Sequence, residues 1–230
     1  MSLSFSIVIP TLNEAEELPA TLRALLRCWP NAQVVVADGA SDDDTVIVAR
    51  NHGAEVVSTD RGSRGEQLCA GANAANGEWL LFLHADTRID AHAAVVADAY
   101  RAGEGAQMGM FQLRFDSSHL LLRLSGWFTR FDTVFTRFGD QGILVRKEWY
   151  DRVGGFQSWP LFEDVDFIRR SRRLKPIDVL PATLLTSARR FHRRGVIRQQ
   201  MLNAWLLSRF LLGADPATLR RHYPVWKPSN

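Results

Sequence analysis

Along the first hundred residues, short runs of apolar residues alternate with stretches of helical spacing. Residues 5–10 form a β-rich run that Pro10 ends. Leu18, Leu22, Leu25 and Leu26 then recur with a helical period. Residues 33–37 predict a second strand, which runs into Asp38-Gly39. Ser41 and the acids that follow it open a helix that stops at Gly53. Val56-Val57 reads as a third strand, residues 61–65 as a loop, and a small-residue helix leads to Asn76-Gly77. Four large apolar residues, 80–83, then predict a short buried strand that ends abruptly in His84-Ala85-Asp86-Thr87. Strand–helix alternation with short connections predicts a mostly parallel sheet with right-handed crossovers.

The second half is more helical. A helix over 90–100 and a strand over 108–115 come first. From Leu120 to Phe138 the apolar positions 120, 124, 127, 128, 131, 135 and 138 predict one amphipathic helix. Arg123, Arg130 and Arg137 recur every seven residues along it, which predicts a single basic stripe. A strand over 143–145 and a short helix lead to a turn at Val153-Gly154-Gly155-Phe156, and a helix opens at Glu163-Asp164. After a last strand, the basic run 187–195 reads as a loop. Residues 195–212 predict a helix that is apolar nearly all round, with Gln199, Gln200 and Asn203 on one side. Asp215-Pro216 starts a last short helix, and Trp226-Lys227-Pro228 belongs to a loose tail.

With 230 residues, 46% of them apolar and 23% charged, the chain is expected to be one large globular domain. A net charge of +3 gives no reason to invoke nucleic acid. Cys28 and Cys69 stand far apart, without the spacing of a zinc site or a disulfide framework. No signal-like segment and no uninterrupted apolar run of about 20 residues is present, so a cytoplasmic protein is expected.

Three predicted strands deliver their C-terminal ends to one rim, bringing Thr11 and Glu14, Asp38, and Asp86 together. A carboxylate beyond a buried strand stands where open α/β sheets bind ligands. Asp86 as a mere cap of the next helix would leave the other acids unaccounted for. A dinucleotide-binding domain would place GxGxxG after the first strand, but that place holds Pro10-Thr11-Leu12-Asn13-Glu14. Such a loop offers acceptors suited to a base or ribose. The phosphates must then be met in another way, most simply by a divalent metal on Asp86.

Ile-Val-Ile-Pro-Thr-Leu-Asn-Glu, Ala-Asp-Gly-Ala-Ser-Asp-Asp-Asp-Thr and Leu-Phe-Leu-His-Ala-Asp-Thr resemble glycosyltransferase family 2, over about residues 5–186. The resemblance implies a GT-A fold, a Rossmann-like α/β sheet flanked by helices. Residues 1–115 would be the nucleotide-sugar half, 116–190 the acceptor half, and 191–230 C-terminal helices. By position, Pro10, Thr11 and Glu14 would contact base and ribose, Asp38 the base edge, and Arg64 the base or diphosphate. Asp86 would match the last acid of the family's DxD motif and hold Mn²⁺ or Mg²⁺. His84 stands in place of the first acid, in a His84-Ala85-Asp86 version of the motif. Histidine is a softer ligand that suits Mn²⁺ better than Mg²⁺, but a hydrogen bond to ribose is its expected role. Glu163-Asp164 matches the family's Glu-Asp pair, whose second acid is the catalytic base of inverting members. The rival reading, acids placed by the helix macrodipole, fits Glu163 and Asp166. His192 in the basic run is a further candidate metal ligand.

The expected function is therefore inverting transfer of a sugar from a nucleotide-diphosphate sugar to an acceptor hydroxyl. A non-catalytic nucleotide-sugar-binding or interaction protein of the same fold is the alternative, and a nucleotidyltransferase is a weaker third. The Arg123 stripe and the apolar helix 195–212 raise a lipid-linked acceptor and peripheral contact with the inner face of the membrane. Burial of the same helices in a homodimer is the competing expectation.

Overall fold

The computed structural model describes residues 4–60 and 63–223. The predicted loop residues Arg61 and Gly62 and the tail at Trp226 lie outside them. One eight-stranded sheet forms the centre, in the order β3-β2-β1-β4-β7-β6-β8-β5. The strands are β1 (Phe5–Thr11), β2 (Gln33–Asp38), β3 (Glu55–Ser58), β4 (Trp79–Phe82), β5 (Thr87–Arg88), β6 (Met108–Phe115), β7 (Ile143–Arg146) and β8 (Asp178–Thr186). β1, β2, β3 and β4 pair in parallel. β7 runs antiparallel to both β4 and β6, β8 is parallel to β6, and β5 is antiparallel to β8. β7 and β5 thus oppose the common direction, and the sheet is mostly parallel, as expected.

Alternation along the strands builds two cores. Ile7, Ile9, Val34, Val36 and Leu81 face α1 (Leu18–Cys28), α2 (Thr45–Asn51) and α4 (Ala91–Ala102). Val8, Val35, Leu80 and Phe82 face α3 (Arg64–Ala74), α6 (Lys147–Val153) and α7 (Glu163–Leu174). Both faces are covered, which is why these strands read as continuous apolar runs. Gly71 on α3 allows the close approach: a Cβ there would lie 2.3 Å from Val8 Cγ1. A smaller core joins Val165 of α7 to Leu206 and Phe210 of α9 (Val196–Leu211) and Leu219 of α10 (Pro216–Arg220).

Three expectations are corrected. The helix predicted from Leu120 to Phe138 stops early, as α5 (Leu120–Phe128). Thr129 ends it: its Oγ1 donates to Gly126 O at 2.6 Å and accepts from Leu113 N at 2.9 Å, fixing the turn against β6. The chain then turns, and Arg137 is buried instead of extending a stripe with Arg123 and Arg130. Its Nη1 donates to Phe111 O at 3.1 Å and to Gln141 Oε1 at 2.7 Å. The basic run, expected as a loop, forms the short helix α8 (Arg189–Arg194). In α9, Gln199 is buried beside Val196, Leu206, Leu207 and Phe210 and donates to Asn203 at 2.7 Å, while Ile197, Met201 and Trp205 are exposed. Among the described residues, no helix is long and apolar enough to cross a membrane.

Candidate active site

The C-terminal ends of β1, β2 and β4 meet at one rim. Asp38, at the end of β2, is buried and accepts from Thr11 Oγ1 at 3.1 Å, Ser41 N at 2.9 Å and Ser41 Oγ at 2.5 Å. It locks the loops after β1 and β2 together, so Ser41 serves Asp38 and does not cap α2. Asn13 and Ala40 in these loops, and Phe162 before α7, are the non-glycine residues with positive φ among the described residues, at 56°, 60° and 64°. Such backbone costs of order 1–3 kcal/mol per residue and gathers at functional sites. All three flank candidate site residues.

Arg64 opens α3 behind the Ser63–Glu66 capping box. Its Nη2 contacts His84 Nε2, and its Nε lies 3.2 Å from Glu163 Oε1. A guanidinium only donates, so His84 Nε2 accepts and the ring is neutral with its proton on Nδ1. Burial, and then the charges of Arg64 and Arg190, hold the His84 pKa well below its ordinary value, in keeping with that state. Nε2 is thereby taken, leaving Nδ1–H as the ring's donor. Burial disfavours the Arg64 charge, but Glu163, Asp164 and Asp140 more than offset this and its pKa is raised. Burial pushes Glu163 up to about 7 against the pull of Arg64.

Asp164 is buried beside this pair. Its Oδ2 accepts from Gly139 N at 2.6 Å and its Oδ1 from Val165 N at 2.8 Å. Gly139 belongs to a 3-10 turn, Gly139–Gln141, that leads into β7. A small cavity lined by Pro10, Arg64, His84, Gly139 and Asp164 joins the expected donor residues to the expected base.

Asp86 follows β4. The pairing of Thr87 with Thr186 brings this loop to the end of β8, from which α8 starts. Arg189 of α8 reaches back to contact Glu14, and its Nη2 lies 3.8 Å from Asp86 Oδ2. Burial pushes Glu14 up to about 7 in spite of Arg189. Ala85 anchors the loop: its carbonyl accepts from Thr21 Oγ1 at 2.7 Å and its side chain is buried. His192 is exposed on α8.

Among the described residues, no three His, Cys, Asp or Glu side chains gather as a metal cage. Of the strand-end carboxylates at the rim, Asp38 is bonded to Thr11 and Ser41, which leaves Asp86 for an ion. That suits an ion held by one or two carboxylates together with a substrate's phosphates, the usual arrangement for Mg²⁺.

Of the residues expected at the site, the structure brings Pro10, Arg64, His84, Glu163 and Asp164 together, bonds Thr11 to Asp38, and links Glu14 to Asp86 through Arg189. Sequence reasoning missed Arg189, naming His192 from the same run. It also missed Gly139 and Asp140, read only as an interruption. The Gly-Asp-Gln-Gly turn was the available signal for the second omission. The first had none, because the Thr87–Thr186 pairing is not legible in the sequence.

Residues 6–145 match the family described as Glycosyl transferase family 2. A PGL/p-HBAD biosynthesis glycosyltransferase of Mycobacterium tuberculosis (strain ATCC 25618 / H37Rv) is 41% identical over 183 residues, 71% of this chain and 67% of that protein. An uncharacterized glycosyltransferase of the same strain is 40% identical over 86 residues, 37% of this chain and only 38% of that protein's length. Among solved structures, the mannosyltransferase PcManGT from Pyrobaculum calidifontis, in complex with GDP-Man and Mn²⁺, superposes with a TM-score of 0.70 at 18% identity. It covers 94% of this chain and 67% of that one. Residues 1–349 of S. aureus TarS in complex with UDP-GlcNAc give 0.63 at 20% identity, over 80% and 58%. The sheet order and its flanking helices are those of the GT-A fold. With a family match over more than half of its length, the chain belongs to glycosyltransferase family 2.

Proposed function

We propose that the protein is an inverting glycosyltransferase that moves a sugar from a nucleotide-diphosphate sugar to an acceptor hydroxyl. One observation carries the reading. Asp164, a carboxylate fixed by two backbone N–H groups, lines one cavity with His84 and Arg64, and the strand-end carboxylate Asp86 follows His84 by two residues. Residues 1–115 form the donor half in this reading, 116–190 the acceptor half, and 191–230 the C-terminal helices. PcManGT is described with GDP-Man and Mn²⁺ and TarS with UDP-GlcNAc, which supports a nucleotide sugar as donor.

Pro10, Thr11 and Glu14 contact base and ribose in this assignment. A carboxylate has about four acceptor positions, so Asp38 keeps one for the base edge after its three bonds to Thr11 and Ser41. His84 donates from Nδ1 to the ribose. Asp86, in the His-Ala-Asp version of DxD, holds Mn²⁺ or Mg²⁺, with His192 as the candidate ligand from α8. A bound divalent ion would neutralise charge developing on the diphosphate oxygens. Arg64 and Arg189 supply fixed positive charge at the same end. Asp164 accepts the proton of the acceptor hydroxyl as its oxygen bonds to the anomeric carbon, and the bond from that carbon to the diphosphate breaks on the opposite face. The configuration is inverted. Glu163 keeps Arg64 in place.

For the acceptor we propose a lipid-linked alcohol met at an anionic membrane surface. Trp127, Phe128, Phe131 and Phe135 in and just after α5 are exposed, as are Arg123 and Arg130 in the same stretch, and α5 contacts α9 through Gln200 and Ser125 at 3.0 Å. Aromatic and cationic side chains exposed together suit a lipid surface.

A thermal-shift panel of nucleotide sugars with and without Mn²⁺, followed by a transfer assay with the ligand that binds, tests the donor reading. A ligand at 100 times its dissociation constant adds about 2.7 kcal/mol of stability. Binding without transfer to any acceptor or to water would favour the non-catalytic alternative. No shift with any nucleotide sugar would overturn both.

A further inference from the structure

Asp140 occupies the middle of the 3-10 turn Gly139–Gln141, and its neighbours on both sides are fixed. Gly139 N–H is held by Asp164. Gln141 is buried, donates to Thr136 O at 2.6 Å and accepts from Arg137 at 2.7 Å. Gly142, at φ 66°, is pinned so closely that a Cβ would lie 2.9 Å from Leu184 Cδ1. The backbone on both sides of Asp140 is therefore fixed, and the residue itself is half-buried.

Its Oδ1 is buried and has no hydrogen-bond partner among the described residues. Buried polar groups in folded proteins are nearly always paired, and each exception calls for a reason. The charges that reach Asp140 are those of Asp164, Arg64 and Asp86. Two are like charges, which adds to the cost of holding it there. Arg64 directs its guanidinium to His84 and Glu163. Packing alone gives no reason to keep a carboxylate in this place.

The donor reading does give one. If the acceptor hydroxyl meets Asp164 and the diphosphate meets Asp86, the group between them is the transferred sugar. A pyranose ring offers several hydroxyl donors and no charge. We propose that Asp140 is the carboxylate that accepts hydrogen bonds from hydroxyl groups of the transferred sugar, and so helps to determine which sugar is used. This inference rests on the proposed donor function.

The test separates the sugar from the nucleotide. Dissociation constants are measured by calorimetry in Mn²⁺ for wild type, Asp140→Asn and Asp140→Ala, with UDP against UDP-GlcNAc and GDP against GDP-mannose. For the pair that wild type binds, both substitutions are expected to weaken the nucleotide sugar about tenfold or more, as loss of a charged hydrogen bond does. The bare nucleoside diphosphate should stay within about twofold, which also shows that the variant is folded. The preference between two nucleotide sugars that differ at one hydroxyl should change as well. Equal effects on nucleotide and nucleotide sugar, or no effect on either, would overturn the assignment of Asp140 and leave the donor reading standing. Wild type that binds none of the four ligands would overturn both.

Discussion

The backbone N–H of Gly139 donates to Asp164 Oδ2 at 2.6 Å, so the turn before β7 sets the direction of the proposed base. A Cβ on Gly139 would lie 2.8 Å from that oxygen and 2.9 Å from Arg64 Nη2. Gly139→Ala is therefore expected to push Asp164 and Arg64 apart from the turn. The cost should be the roughly 1–3 kcal/mol of an overpacked site. Urea unfolding measures the stability loss, and transfer activity should fall by more than the unfolded fraction explains. Wild-type activity in a destabilised Gly139→Ala protein would separate the turn from the chemistry.

Asp164→Asn keeps the shape of the side chain but removes the basic carboxylate. Nucleotide-sugar affinity is expected to stay nearly intact while transfer slows by roughly 10²–10⁴, the usual worth of a general base. Asp166 is a poor substitute, because its carboxylate is held by Arg170 at 2.7 Å. Unchanged transfer would move the base to Glu163.

Burial raises Glu14, Asp140 and Glu163 from ordinary values of 4.5, 3.8 and 4.5 to about 7. The folded chain then keeps protons that the unfolded chain has released. By linkage, the stability these groups contribute is fully present below about pH 4 and is lost as pH rises through 7. The ligand-free protein should accordingly show a lower urea midpoint at pH 7.5 than at pH 5. Asp140→Asn should narrow that difference by removing one of the three groups. An identical difference in wild type and variant would mean that Asp140 ionises as freely in the fold as in water.

Arg189 lies where it competes for Asp86. In the absence of nucleotide, Arg189→Gln is expected to tighten Mn²⁺ binding a few-fold, since a partly exposed ion pair is worth about 1 kcal/mol or less. Asp86→Ala should abolish the part of nucleotide binding that depends on Mn²⁺. Titration calorimetry reads both. Equal Mn²⁺ enhancement in wild type and Asp86→Ala would place the ion elsewhere.

The donor side of this site was legible because it is written in local sequence. Strand ends carry Thr11, Asp38 and Asp86, and strand–helix alternation implies the parallel pairing of β1 with β2 and β4 that brings those ends to one rim. What escaped the sequence depends on long-range pairing. Arg137 fits an amphipathic stripe perfectly by spacing, but Thr129 ends the helix through a bond to Leu113, sixteen residues away in sequence, and Arg137 goes inside. Arg189 meets Glu14 across 175 positions. Periodicity carries no information about either contact.

The last prediction concerns the exposed aromatic surface. Phe135 is 65% exposed and Met201 69%, and Trp127, Phe131 and Trp205 are each close to half exposed. Burying such side chains is favourable, so a lipid surface or a second copy that covers them would gain affinity. Gln199 of α9 is buried while Ile197, Met201 and Trp205 of the same helix are exposed. Exposed Arg123, Arg130 and Arg198 accompany the apolar residues, and each basic residue near an anionic leaflet is worth about 1 kcal/mol. The protein should therefore co-sediment with phosphatidylglycerol vesicles at low salt and leave them as salt is raised. Arg123→Ala and Arg130→Ala should each lower the partition about fivefold. Replacing Trp127 and Phe131 with serine should lower it at every salt concentration, because that contribution is apolar. A second copy of the chain would cover the same side chains without any lipid. If the protein stays in the supernatant at low salt and scatters light as a dimer that the serine substitutions dissociate, the surface is a subunit interface and the lipid-linked acceptor is withdrawn.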